Sequence, residues 1–425
     1  MDITDDRIIN GLLKGFGGSV PPDVLKTLLS QDVEVIAPPH RATFDDLWPA
    51  IWALAATLER QFYGQVFIRC GLTAPLPAPA ALGSRCVFTT KAQHVALSIG
   101  IGTTKVRTKQ ALIGDARSGV IAVGELLPDG KQHPSPIECF MVAGYLGFAA
   151  LARLVQIPEH RTEFARPNLI IGCDPSLLKQ RIAETSGFTC IGLGQLGQAF
   201  LALLFFLHRG NLSGQKLILI DRDTFEIRNG RTQILLSENA PWLNEEVPIT
   251  KVQFIADIVN GWHADAIPRR QEIQWGWTKE IGDPDIALVG LDDLEVRRMV
   301  MAAGFNLLIE AGVGTDLLRP RISWHAVPGN PVLGRRLFPN VAVHKSNSVS
   351  GDWVETLKRT PGQCGWVRFQ NIAATAPSLG ITATAFALSE LGHQPLATLG
   401  RATLWSPCLP ILREPVSEPA ARKVI

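Results

Sequence analysis

Short apolar runs of strand length alternate along this chain with longer apolar stretches of helix length. In the second half, Phe188 to Gly192 reads as a strand, Leu196 to His208 as a buried helix, Lys216 to Ile220 as a strand and Ile249 to Ile258 as a helix. Asp285 to Leu291 then reads as a strand, Leu294 to Ala303 as a helix, Ile322 to Val327 as a strand and Leu379 to Leu391 as an apolar helix. The stretch from Pro328 to Thr375 has little regular periodicity. In the first half, Val33 to Ala37, Gln65 to Arg69, Cys86 to Thr90, Val95 to Ile101 and Val120 to Val123 read as strands, and Leu47 to Leu58 and Ile137 to Val155 as helices. This alternation predicts an α/β protein: a Rossmann-like, mostly parallel sheet with helices on both faces in the C-terminal half, preceded by a second, smaller α/β domain. Pro158, Pro167, Pro175 and a polar run put the boundary between Ile157 and Gly187, dividing the chain into units 1–170 and 171–425.

The polar positions of the two halves differ in kind. Between the first strand and helix of the second half stands Gly192-Leu-Gly194-Gln-Leu-Gly197. Glycines there let the backbone approach a nucleotide, while the helix N-terminus offers N–H groups to phosphate. Such a turn also occurs with no ligand at all. The next strand ends in Asp221, suited to ribose hydroxyls, and this much fits an NAD-linked dehydrogenase equally well. A dehydrogenase has no standing need for the next segment, Asp221-Arg-Asp223-Thr-Phe-Glu-Ile-Arg-Asn229-Gly-Arg231-Thr-Gln233. Asn229 and Arg231 can reach an α-phosphate and an attacking carboxylate, and Lys251, opening a helix, can neutralise β- and γ-phosphates. Asp292-Asp293 ends a strand directly before a helix carrying Arg297, where a carboxylate either holds Mg2+ or caps the helix. The order and spacing of the set point to Mg-ATP.

Gly192-x-Gly194-x-x-Gly197, Asp221-x-Asp223, Asn229, the Arg231 to Gln233 pair, Lys251 and Asp292-Asp293 with Arg297 together resemble the ThiF/MoeB/HesA adenylyltransferases, which include the ubiquitin-activating enzymes. The resemblance runs from Phe188 to Gly392. It implies ATP-dependent adenylation of the C-terminal carboxylate of a ubiquitin-like or sulfur-carrier protein, with pyrophosphate released and a conjugating enzyme downstream. By position it assigns nucleotide binding to Gly192, Gly194, Gly197, Asp221, Asp223, Asn229, Arg231, Gln233 and Lys251, with Asp221 on the ribose and Asn229, Arg231 and Lys251 on the phosphates. It assigns Mg2+ to Asp292, and catalysis to Arg231, Lys251, Asp292 and Cys364. The arginine departs from the pattern: the family's usual place is Thr232 here, and Arg231 stands one position ahead of it.

Relatives of that kind work as dimers, so the resemblance also implies a homodimer or an internal pseudo-dimer, with the N-terminal unit an accessory domain or a degenerate copy. Pro134-Ser-Pro136 and a helix with Ala143, Gly144 and Gly147 echo Ala376-Pro377-Ser378 and a helix with Gly380, Ala383 and Ala385. Two such helices can pack closely at a quasi-twofold interface.

Seven cysteines include no C-x-x-C pair, and nine histidines no H-x-x-x-H pattern, so no structural zinc is expected. Cys364 lies beside glycine in the segment where relatives cross the adenylation site, with Arg359 and Arg368 near it in sequence. It is the candidate thioester nucleophile, or else the remnant of a lost zinc pair. Cys190, on a buried strand, and His325 are expected to be structural.

A length of 425 residues exceeds one ordinary core, and 46% hydrophobic against 19% charged residues indicates a well-packed protein. A net charge of +2 with no dense Lys/Arg run gives no nucleic-acid partner. The start, Met-Asp-Ile-Thr-Asp-Asp-Arg, lacks the features of a signal peptide, and Cys139 to Ala152 and Phe200 to Leu207 fall short of a membrane span. Cytoplasmic location and no membrane contact are the expectations. The final Ala-Arg-Lys-Val-Ile425 has no di-glycine, so the chain is not expected to be the carrier itself. Three further readings stay open: a peptide- or tRNA-base-adenylating enzyme without a thioester, an NAD-dependent oxidoreductase, and a non-catalytic scaffold subunit of a heterodimeric activating enzyme.

Overall fold

Two sheets form where the apolar runs lie, and both are built in one strand order. The computed structural model describes residues 7–15, 20–71, 76–106, 108, 111–128, 133–155, 169–236, 249–314, 321–338, 374–393, 398–403 and 412–415. The first sheet contains β1 (Val33–Ile36), β2 (Val66–Arg69), β3 (Cys86–Thr89), β4 (Leu97–Ile101), β5 (Ala111–Arg117), β6 (Val120–Val123) and β7 (Leu169–Ile170). Its order is β3-β2-β1-β4-β5-β6-β7, parallel through β5 and antiparallel beyond.

The second sheet contains β8 (Gly187–Ile191), β9 (Lys216–Asp221), β10 (Asp265–Arg270), β11 (Ile286–Val289), β12 (Leu307–Val313), β13 (Arg321–Val327), β14 (Thr398–Thr403) and β15 (Leu412–Pro415). Its order is β10-β9-β8-β11-β12-β13-β14-β15, again parallel through the fifth strand and antiparallel beyond. In each case the first strand in sequence lies at the centre, and the chain then winds to one side and returns to the other. Ligands of such sheets bind where the winding reverses, outside the carboxyl ends of the strands.

Ten helices lie among the described residues. In the first half they are α1 (Arg7–Gly15), α2 (Pro22–Leu29), α3 (Arg41–Gln61) and α4 (Pro136–Leu154). The others are α5 (Pro175–Glu184), α6 (Gln195–Leu207), α7 (Lys251–Asn260), α8 (Leu294–Met301), α9 (Pro331–Leu337) and α10 (Ala376–Ser389). The helix α9 forms inside the stretch expected to lack periodicity, started by Asn330, whose side chain accepts from the Val332 and Leu333 amides.

The helix α4 begins on a capping box, Ser135 with Glu138, and has Pro136 at its first turn. It is long and apolar enough to cross a bilayer by length and composition, but 94% of that stretch is buried inside the protein. Helix α10 packs directly against it, as do α3 and β5. A side chain at Gly144 would collide with the Thr382 hydroxyl and press on the Ser378 carbonyl, so the small residue is what lets the two backbones approach. Gln61 of α3 joins the same contact, donating to the Ala374 carbonyl at 3.1 Å and the Ser378 hydroxyl at 3.0 Å. The echoed small-residue helices therefore meet face to face. A second seam forms where indole N–H groups of Trp48, Trp52 and Trp262 donate to the carbonyls of Pro77, Ala80 and Pro79, tying one proline-rich segment to both halves.

Candidate functional site

The carboxyl ends of β8, β9 and β11 adjoin, and the chain segments leaving them hold most of the polar set. Gly192 comes directly after β8 with φ +81°, a conformation that favours glycine, and its N–H donates to the Ile220 carbonyl at 2.9 Å. Gly197 closes the turn, since any side chain there would strike the Gly192 carbonyl. Gly194 is the N-cap of α6 and has no side chain to satisfy the helix's first N–H groups. A β-carbon built at Gly194 would meet nothing within 4 Å, so open space faces the start of the helix. Uncapped N–H groups beside open space can receive an anion.

Asp221 ends β9 beside that turn. One carboxylate oxygen accepts the Leu193 N–H at 2.7 Å, and the other accepts the Asp223 N–H at 2.8 Å. An ionised carboxylate has about four acceptor positions, so these two bonds orient the group and leave capacity for hydroxyl donors. Two residues on, Asp223 takes an ion pair from Lys251 at 2.9 Å, with the lysine side chain 9% and the aspartate 55% exposed. The backbone repeats the link, Lys251 N–H donating to the Asp223 carbonyl at 3.0 Å. Lys251 thus opens α7 with its ammonium at the same sheet edge as Asp221.

On the other side of β8, Gly290 comes directly after β11 and its N–H donates to the Ile191 carbonyl at 2.8 Å. Asp292 comes two residues later, exposed and with no hydrogen bond or ion pair among the described residues. Asp293 is the helix cap, accepting the Glu295 and Val296 amides. The two neighbouring aspartates therefore differ: Asp293 caps the helix, and Asp292 takes no part in the cap. Behind them Arg297 donates from Nε to the Leu291 carbonyl at 2.9 Å.

The remaining expected residues lie further back. Asn229 sits on a short 3-10 turn, Ile227–Arg231, and its Oδ1 accepts the Glu226 N–H at 2.8 Å. Gln233 is buried and its Oε1 accepts from Gln198 at 2.6 Å. The phosphate role expected of Arg231 finds no support in this geometry. Its buried guanidinium donates to the carbonyls of Glu59 and Phe62, at 3.3 and 3.1 Å, and lies 4.2 Å from the Tyr63 ring centroid. It finishes the last turn of α3, whose final carbonyls lack helical partners. Cys364 falls outside the described residues. Cys190 is fully buried, and burial pushes its thiol up to about 12. His325 is partnered, its Nδ1 standing 2.7 Å from Glu310 Oε2.

Two further residues matter that the sequence pattern does not single out. Gln198, one turn into the largely apolar α6, donates to the Leu193 carbonyl at 3.0 Å as well as to Gln233, and accepts the Leu235 N–H at 3.0 Å. It binds the glycine turn to the 229–236 segment. Arg60 of α3 donates to the Gln233 carbonyl at 2.8 Å and the Leu236 carbonyl at 2.5 Å. Arg60 and Arg231 thus cross, each satisfying main-chain carbonyls of the opposite half. Their sequence signals are slight: a Gln inside a largely apolar helix, and Glu59-Arg60-Gln61 ending another.

Residues 186–396 match the family model described as BilD C-terminal domain. The bacterial E1-like protein BilD of Collimonas sp. (strain OK412) is 28% identical over 212 residues, 48% of this chain and 44% of that relative. The chain thus spans less than half the length of the curated relative it matches. The crystal structure of SeMet PaaA covers 65% of this chain and 73% of that chain at 14% identity and a TM-score of 0.30, too low to bear on the fold. Over its second half the chain is therefore similar to a bacterial E1-like protein, which agrees with the ubiquitin-activating resemblance at that coarse level.

Proposed function

We infer that this protein activates the C-terminal carboxylate of a ubiquitin-like or sulfur-carrier protein by adenylation with ATP at the carboxyl edge of its second sheet. The observation that carries the reading is the gathering of an uncapped glycine turn, Asp221, the Lys251–Asp223 pair and the exposed Asp292 on one edge, within the stretch similar to BilD. In this reading Asp221 accepts from the ribose hydroxyls, and the N–H groups after Gly194 bind phosphate oxygens. Lys251 has donors beyond the one given to Asp223, and its ammonium balances the outer phosphates. Asp292 fits a ligand of Mg2+, an exposed carboxylate free of other partners among the described residues. When bound, that ion supplies charge neutralisation to the departing pyrophosphate.

The carrier's carboxylate is already an anion and needs no base. One of its oxygens bonds to the α-phosphorus as the bond from that phosphorus to the bridging oxygen of pyrophosphate breaks, leaving an acyl-adenylate. A thiolate at Cys364 would then attack the acyl carbon, expel AMP and hold the carrier as a thioester for a conjugating partner. The first half, alike in strand order, serves as an internal partner without its own nucleotide. ATP–pyrophosphate exchange with candidate carriers tests the first step, and loss of exchange in both Lys251→Ala and Asp292→Ala is the expected result. Exchange at the wild-type rate in both variants overturns it. Cys364→Ala separates the second step: exchange persists, and a thiol-sensitive carrier adduct disappears.

A further inference from the structure

A buried ion network stands directly behind Asp292. Arg297 donates from Nε to the Leu291 carbonyl at 2.9 Å and from Nη2 to the same oxygen. Its Nη1 meets Glu310 of β12, whose other oxygen accepts from Nδ1 of His325 on β13 at 2.7 Å. Arg297 and Glu310 are buried, and His325 is nearly so. Phe338 closes the far side, edge-on to the His325 ring at 5.4 Å and with its ring centroid 5.9 Å from the guanidinium. A charged residue inside a strand is costly unless fully paired, and an apolar side chain would fill that place more simply. What the network achieves locally is to fasten one carbonyl, that of the residue immediately before Asp292.

We propose that Arg297, with Glu310 and His325 behind it, is a positioning residue for a divalent ion held by Asp292; the inference rests on the proposed adenylation with Mg-ATP. Two N–H groups of one guanidinium on a single carbonyl fix the peptide unit from which the Asp292 side chain springs. Glu310 and His325 hold that fork in place. Lysine at 297 would keep the charge and lose the fork, so charge alone does not restore the function.

The test uses the full chain and Mn2+ as probe, with Mn2+ binding read by electron paramagnetic resonance in the presence of a non-hydrolysable ATP analogue. Nucleotide affinity without divalent ions and the unfolding temperature are measured alongside. Arg297→Lys and Glu310→Gln are expected to weaken Mn2+ binding about 10–100-fold while changing metal-free nucleotide affinity less than about twofold. Should Glu310→Gln not fold, His325→Leu removes the donor to Glu310 without touching Arg297, and the same split is expected. Wild-type Mn2+ affinity in folded network variants, or an equal loss of Mn2+ and metal-free nucleotide binding, overturns the proposal. Asp292→Asn separates the two inferences. If it abolishes Mn2+ binding while the network variants do not weaken it, the positioning role alone falls; if the wild type binds neither nucleotide nor Mn2+, the functional reading falls with it.

Discussion

The two halves of the molecule lay down five parallel strands in the same order, and they differ at the edge where those strands end. In the second half, Gly192 donates to the end of β9 and leads into an open turn; in the first, Ala37 makes the equivalent bond to Arg69 at 3.0 Å and leads into Pro38-Pro39. Proline has no N–H, so two of the donors that could meet a phosphate are missing. Counting along the ladders, Cys70 stands where Asp221 does and Thr103 where Asp292 does. Strand order makes a crevice. Residues at the strand ends decide whether anything can be held there.

Substitutions at matching positions give the sharpest contrast. Lys251→Ala and Asp292→Ala should each lower ATP–pyrophosphate exchange about 100-fold or more, while Cys70→Ala and Thr103→Ala leave it within about twofold. Similar losses from both pairs would erase the distinction between the halves. A smaller effect is expected where the halves join. Gly144→Leu forces a side chain into Thr382 and Ser378 and should destabilise the protein by about 3 kcal/mol, read as a lower midpoint in denaturant. An unchanged midpoint would mean that α4 and α10 do not need this close approach.

The smallest effect concerns acid. Burial opposes ionisation of Glu310, but Arg297 and His325 outweigh it and hold the carboxyl below its ordinary value. A depressed carboxyl contributes stability that is present above its unfolded value and is lost as pH falls through the folded one. Denaturant titrations at a series of pH values should therefore show the wild type losing more stability than Glu310→Gln as pH drops through and below the ordinary carboxylate range. The variant, although weaker at neutral pH, should have the flatter profile. Parallel profiles would show that the ion network contributes nothing to stability through the charge on Glu310.

Much of this architecture is legible in the sequence, because β8, β9 and β11 are apolar runs that stop just before Gly192, at Asp221 and close to Asp292. A residue that ends a parallel strand has its place in the fold set by the strand. Elsewhere the local signal is weak for physical reasons. The strand β10 contains Pro268 and alternates no hydrophobic face, being, among the described residues, an edge strand paired with β9. In β12 the run is broken by Glu310, a charge made tolerable only by Arg297 and His325 from other elements. The place of Arg231 escapes a reading of spacing for the same reason: its partners, the carbonyls of Glu59 and Phe62, belong to a helix end in the other half, and no interval along the chain reveals such a contact. Short helices such as α5 and α9 fall within stretches that read as polar or irregular.

Hydrogen exchange on the full chain, with and without Mg-ATP, tests most directly whether the second sheet's edge alone holds the nucleotide. Slowed exchange of the amides after Gly194 and around Asp221 to Asp223 is expected, with those of residues 37–40 and 69–71 unchanged. Protection at the first sheet's edge instead, or at neither edge under conditions where ATP–pyrophosphate exchange is observed, would contradict it.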